Sequence, residues 1–127
     1  MSIALRDAVV LAVDDDQDMR ELLSWVLGGH VREVIVASSV DEAMQLLECV
    51  HPTLILSDIC MPEQDGYDLI RRVRATSDNR TTPAVALSAY SEDVCRDAAL
   101  AAGFDMFLRK PLDMERFVPV LEALLQD

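Results

Sequence analysis

No part of the chain holds the roughly 18 consecutive apolar residues that a membrane-spanning helix requires, so no bilayer role is expected. The opening stretch MSIALRDAVV lacks a basic segment followed by a long apolar one, and no signal peptide is expected. Cysteine is scarce: Cys49, Cys60 and Cys95 are odd in number, well separated, and form no CxxC pair. That usage predicts neither a disulfide framework nor a zinc cage, and it suits a reducing cytoplasm. Basic residues are also few, 11 Lys and Arg against 23 Asp and Glu, giving a net charge of −12. Such a chain repels nucleic acid and anionic lipid, so neither is expected as a direct partner. The one basic cluster, Arg71, Arg72 and Arg74 with Arg80 nearby, has the spacing of a solvated helix face.

What is present is enough for a core. Of 127 residues, 51% are apolar, and the length suits one domain over residues 1–127. Short apolar runs recur at 8–13, 33–37, 53–57, 84–89 and 104–108. Their near-continuous apolar character predicts strands buried on both faces. Between them lie helix signals. Met19, Leu22, Leu23, Val26 and Leu27 share a face, and Gly28-Gly29 stops that helix. Ser39 with Glu42 reads as a capping box before Val40, Ala43, Leu46, Leu47 and Val50. Asp65, Ser91 and Asp113 are placed to cap three further helices, the fourth ending at Gly103 and the fifth carrying Pro119, which should kink it.

The order is a strand followed by a helix, five times. Alternation of this kind implies parallel strands joined by right-handed crossovers. The expected class is therefore α/β, a flavodoxin-like doubly wound (βα)5 sandwich with a parallel five-stranded sheet of order 2-1-3-4-5. In such sheets the functional crevice lies at the carboxyl ends of the strands, where the order reverses.

The predicted strand ends are chemically loaded. Asp14 and Asp15 end strand 1, Asp58 ends strand 3, Ser88 ends strand 4, and Lys110 follows strand 5. The segment LAVDDDQDM alone places four carboxylates within five positions, two of which, Asp16 and Asp18, read as ordinary acids at a helix start. Two carboxylates about 4 Å apart repel by roughly 4 kcal/mol at an effective dielectric of about 20. A hard divalent cation offsets this repulsion, and Mg²⁺ prefers oxygen ligands from one or two carboxylates plus phosphate. Calcium needs more ligands, and zinc needs His or Cys, whereas His30 and His51 fall in predicted loops. With Mg²⁺ in place, Asp58 is the best-placed nucleophile toward phosphorus, and Lys110 and the Ser88 hydroxyl can cover phosphoryl oxygens.

The segments VDDDQDMRELL, LILSDICMPEQDGYDLI, PAVALSAY and GFDMFLRKPLD together resemble the receiver domain of two-component response regulators, over essentially the whole chain. The portion ALSAYSED…ALAAGFD…KPLD is most similar to receivers fused to hybrid sensor kinases. The resemblance implies that Asp14 and Asp15 form the acidic pair that binds Mg²⁺ and that Asp58 is the phosphoacceptor and a further metal ligand. It implies that Cys60 offers its backbone carbonyl to the metal, with Met61, Pro62 and Gly66 in the loop that follows. Ser88 matches the switch hydroxyl, Lys110 the phosphate-binding lysine, and Phe107 the switch aromatic, where tyrosine is frequent. It further implies a histidine kinase or histidine phosphotransfer domain as phosphodonor and an output partner that no motif specifies. Partners would read the face of helix 4, strand 5 and helix 5. A cis peptide before Pro111 is expected, because Lys110 must turn back into the crevice.

Two other classes share part of this pattern. A haloacid-dehalogenase-type phosphatase would use Asp14 as nucleophile and Asp16 as acid, but it requires Thr or Val where Asp18 stands. KPLDMERFVPV also lacks its final acidic motif. A receiver-shaped binding module that never takes phosphate would be signalled by loss of Asp58 or Lys110, and both are present. The expected role is therefore a phosphoacceptor signalling domain rather than an enzyme acting on other molecules.

Overall fold

The computed structural model describes residues 3–61, 65–89 and 92–126, the side chains of 92–94 excepted. Within them the strands are β1 (Val9–Val13), β2 (Glu33–Ala37), β3 (Leu54–Asp58), β4 (Ala84–Ser88) and β5 (Met106–Arg109). The helices are α1 (Gln17–Gly28), α2 (Val40–Leu47), α3 (Gly66–Ala75), α4 (Glu92–Ala102) and α5 (Met114–Leu124). All strand pairs are parallel and the sheet order is β2-β1-β3-β4-β5, the doubly wound flavodoxin-like arrangement. Among the described residues no helix is long and apolar enough to cross a membrane.

Side chains alternate across the sheet, which divides the core in two. On one face Leu11, Val13, Ile55, Ala84, Ala86 and Phe107 pack with residues of α2, α3 and α4 such as Ala43, Ile70 and Ala99. On the other, Val10, Ala12, Leu54, Leu56, Val85 and Leu87 meet Leu23 and Leu27 of α1 and Phe117 and Leu121 of α5. Every residue of β3 and β4 is buried, as continuous apolar runs predict. The edge strands β2 and β5 are only partly covered, because each has a neighbour on one side alone.

Local signals place the helix starts. Asp16 caps α1 by accepting from the Asp18 N–H at 3.0 Å, Asp65 caps α3, and Asp113 caps α5. Ser39 caps α2, but Glu42 reaches back to the Ser38 N–H rather than to that of Ser39. The expected cap Ser91 lies outside the described residues. α2 ends at Leu47, after which the Cys49 and Val50 N–H groups both donate to the Leu46 carbonyl, at 3.0 and 2.9 Å. Gly103, at φ +131°, ends α4. α5 continues through Pro119, an exposed residue of the helix.

Two expectations are corrected. Strand 5 begins at Met106 rather than Phe104, because Asp105 turns its carboxylate to the Ala84 N–H at 2.9 Å and to Arg74 at 3.0 Å. The arginine cluster is not one solvated face. Arg71 is exposed and Arg72 faces Asp41 and Asp68, but Arg74 turns inward and donates to the carbonyls of Asn79, Thr82 and Gly103.

Candidate phosphoacceptor site

The carboxyl ends of β1 and β3 lie side by side in the centre of the sheet, which brings Asp14, Asp15 and Asp58 together. One carboxylate oxygen from each lies within 4.8 Å of the others. Asp14 is fully buried. Its amide donates to the Ala37 carbonyl, its Oδ1 accepts from the Asp16 N–H at 3.0 Å, and its Oδ2 accepts from Lys110 Nζ at 2.9 Å. Both carboxylate oxygens of Asp14 are thus engaged. Asp15 is exposed at the mouth.

Asp58 ends β3 and is 6% exposed. Its Oδ1 accepts from the Cys60 N–H at 3.2 Å, and its Oδ2 lies 3.6 Å from Lys110 Nζ. Burial pushes its pKa from 3.8 up to about 6, against the pull of the Cys60 amide and the Lys110 charge and with the repulsion of Asp14 and Asp15. Lys110 is held above its ordinary value. Burial alone would lower it, but the hydrogen bond to Asp14 and the charges of Asp58 and Asp14 outweigh that effect. The lysine enters the crevice just after β5, its amide donating to the Ser88 carbonyl at 2.7 Å, and the Lys110–Pro111 bond is cis.

Ser88 is buried at the end of β4, next to Asp58's strand. Phe107 lies outside the crevice, its ring buried in the core on the α4 side. It pairs in register with Ala86, two residues before Ser88, so Phe107 and Ser88 face the same side of the sheet. The Cys60 side chain is exposed and Met61 is half-buried, while Pro62 lies outside the described residues. Gly66 packs under the end of β3, where a Cβ would come within 2.6 Å of the Asp58 carbonyl.

Two neighbours of the site escape the sequence reading. The Ser57 hydroxyl donates to the Asp58 carbonyl at 2.9 Å, and Arg20 of α1 donates to the Asp14 carbonyl at 2.8 Å. The signal for Arg20 was available: it is the one basic residue in the acid-rich VDDDQDMRELL. The donor set as a whole is oxygen only, concentrated negative charge with a single ammonium, which fits a hard cation such as Mg²⁺ and not zinc or copper.

A family model described as the response regulator receiver domain matches residues 10–122. The 14.6 kDa protein in the sodA1 3′ region of Leptolyngbya boryana is 47% identical over 104 residues, 82% of this chain and 79% of that protein. Response regulator MprA of Mycobacterium leprae is 34% identical over 117 residues, 92% of this chain and 50% of MprA. The chain thus spans half the length of that relative. Among solved structures, chemotaxis response regulator CheY4 of Vibrio cholerae matches with TM-score 0.86 and 29% identity, over 94% of this chain and 99% of that one. The signal receiver domain of a signal transduction histidine kinase from Syntrophus aciditrophicus matches with TM-score 0.84 and 30% identity, over 93% and 89% of the two chains.

Proposed function

The chain belongs to the response regulator receiver domain family, and from that premise we propose that residues 1–127 form one receiver domain whose Asp58 accepts a phosphoryl group from a histidine kinase or a histidine phosphotransfer domain. The observation that carries the reading is the meeting of Asp14, Asp15 and Asp58 with Lys110 at the ends of adjoining strands. Asp14, Asp15, Asp58 and the Cys60 backbone carbonyl are the groups that would hold Mg²⁺. The bound cation supplies charge neutralisation for the carboxylates and for the incoming phosphoryl oxygens.

The protein's own groups do the rest. An Asp58 Oδ attacks phosphorus as the donor's P–N bond breaks, and the imidazole leaves with the bonding electron pair and takes a proton from solvent. Lys110, already within 3.6 Å of Asp58 Oδ2, shifts its ammonium to a phosphoryl oxygen, and Ser88 donates to another. Chemistry ends on the protein itself, followed only by loss of the phosphoryl group to water. The readout is the face of α4, β5 and α5, and Phe107 of β5 lies on the same side of the sheet as Ser88 of β4. Free Cys49, Cys60 and Cys95 suit a cytoplasmic setting.

Acetyl phosphate with Mg²⁺ should add one phosphoryl mass, labile to hydroxylamine as an acyl phosphate is. Asp58→Asn should abolish the gain. An unchanged gain in that variant would assign the phosphoacceptor elsewhere, and no gain in wild type would leave a binding module.

A further inference from the structure

Asp14 is the most enclosed member of the acidic cluster, and it sits one residue beyond the last ladder residue of β1. Its carbonyl therefore needs a partner from outside the sheet, and Arg20 provides one at 2.8 Å. Arg20 lies in the first turn of α1, its own amide donating to the Asp16 carbonyl at 3.0 Å. The helix thus grips the β1–α1 turn at two points, through the Asp16 N–H on Asp14 Oδ1 and through the Arg20 guanidinium on the Asp14 carbonyl. Between these two bonds the turn that carries Asp14 and Asp15 has little freedom to rotate.

We infer that Arg20 is a positioning residue for the cation site: by fixing the Asp14 carbonyl it holds the Asp14–Asp15 turn with its carboxylates facing Asp58. The inference rests on the reading that this cluster takes Mg²⁺. Its sign separates it from simple electrostatics. Arg20 is a cation beside an anionic site, so its charge alone opposes a second cation, and removing that charge alone would tighten Mg²⁺ binding. Loss of positioning has the opposite effect, because ligands held in place by outer hydrogen bonds lose affinity when those bonds go.

The experiment titrates MgCl₂ into isotope-labelled full chain and follows amide shifts in wild type, Arg20→Gln and Arg20→Lys, at low and at high ionic strength. Thermal unfolding in chelator is measured alongside. Arg20→Gln should weaken Mg²⁺ binding by about tenfold, the scale seen when an outer partner of a metal ligand is removed. Arg20→Lys, which keeps the charge but not the planar fork, should fall between the two, at about threefold. The loss should persist at high salt, because it follows from a lost hydrogen bond and not from the charge of Arg20. An Arg20→Gln affinity equal to or tighter than wild type overturns the inference. Should Arg20→Gln fail to fold, Arg20→Lys decides, and an unchanged affinity there overturns it. Absence of any Mg²⁺ response in wild type instead overturns the cation site itself.

Discussion

Gly66 and Asp58 are in such close contact that a Cβ at position 66 would lie 2.6 Å from the Asp58 carbonyl oxygen and 2.7 Å from Ile59 Cα. Both obstacles are backbone, so neither can swing aside as a side chain would. The Gly66 amide also donates to the Ile59 carbonyl at 3.2 Å, tying the start of α3 to the end of β3. Absence of a side chain at 66 is what lets the helix approach the strand that presents Asp58.

Gly66→Ala should therefore push α3 away from β3 and cost about 1–3 kcal/mol, the range for overpacking a tight contact. Phosphoryl acceptance should fall with it, since Asp58 moves. Gly28→Ala is the internal control: nothing lies within 4 Å of a Cβ there, and alanine should be neutral or mildly stabilising. Urea unfolding and phosphorylation of both variants provide the comparison. Equal behaviour of the two would remove the steric argument.

Asp58 also governs a pH dependence in chelator-treated protein. Its pKa in the folded state, about 6, exceeds the ordinary 3.8, so between these values the folded form binds a proton that the unfolded form does not. Stability from this group is then present at low pH and falls as pH rises through the window. Asp58→Asn carries no such charge. The variant should match wild type near pH 4 and exceed it by about 1–3 kcal/mol at pH 7, since each tenfold change in proton affinity is worth about 1.4 kcal/mol before partial screening. Denaturant unfolding at several pH values measures the difference. A difference that does not change with pH would contradict the desolvation of Asp58.

Arg74 joins four segments on the side of the sheet away from the carboxyl ends. Its guanidinium donates to Gly103 at the end of α4, to Asn79 and Thr82 before β4, and to Asp105 before β5. Arg74→Ala leaves these acceptors without their donor and should cost about 2–4 kcal/mol. Arg74→Lys should recover only part of this, because a single ammonium cannot reproduce the planar fork. Phosphorylation of the folded fraction should be unaffected in both. Thermal and urea melts check the first claim, and acetyl phosphate labelling below the melting range checks the second.

Arg74 and Asp58 mark the two ends of what the sequence made legible. Asp58 could be found because strand ends follow from where an apolar run stops, and the 2-1-3-4-5 order then brings Asp14, Ser88 and Lys110 to the same edge. Arg74 could not, because helical spacing places it with Arg71 and Arg72, while its partners are backbone carbonyls that only the folded chain brings near. Arg20 stands out as the one basic residue of VDDDQDMRELL, but its acceptor, the Asp14 carbonyl, is met only in the folded chain. The slip at strand 5 has a related cause: Asp105 reads as part of an apolar run, but its carboxylate serves β4 and Arg74. Local signals such as the caps at Ser39, Asp65 and Asp113 needed no tertiary information and were readable outright.

A phosphoryl group on Asp58 should be felt beyond the crevice. It adds close to two negative charges and three acceptor oxygens at the end of β3. Ser88 ends the neighbouring strand, and Phe107 lies on the same side of the sheet, in register with Ala86. Drawing the Ser88 hydroxyl toward phosphate opens space on that side, into which the Phe107 ring can settle further, shifting the packing of α4 against β5. A hydrogen bond to a charged group contributes about 1.5–3 kcal/mol, which corresponds to a population shift of roughly 10- to 150-fold. That is enough to change a partner's affinity for this face without locking it. Ser88→Ala should therefore still accept a phosphoryl group on Asp58, more slowly, but fail to pass the change on. Amide shifts of residues 95–112 with and without beryllofluoride, in wild type and Ser88→Ala, test this directly. A variant that responds as fully as wild type would show that the coupling runs through another residue.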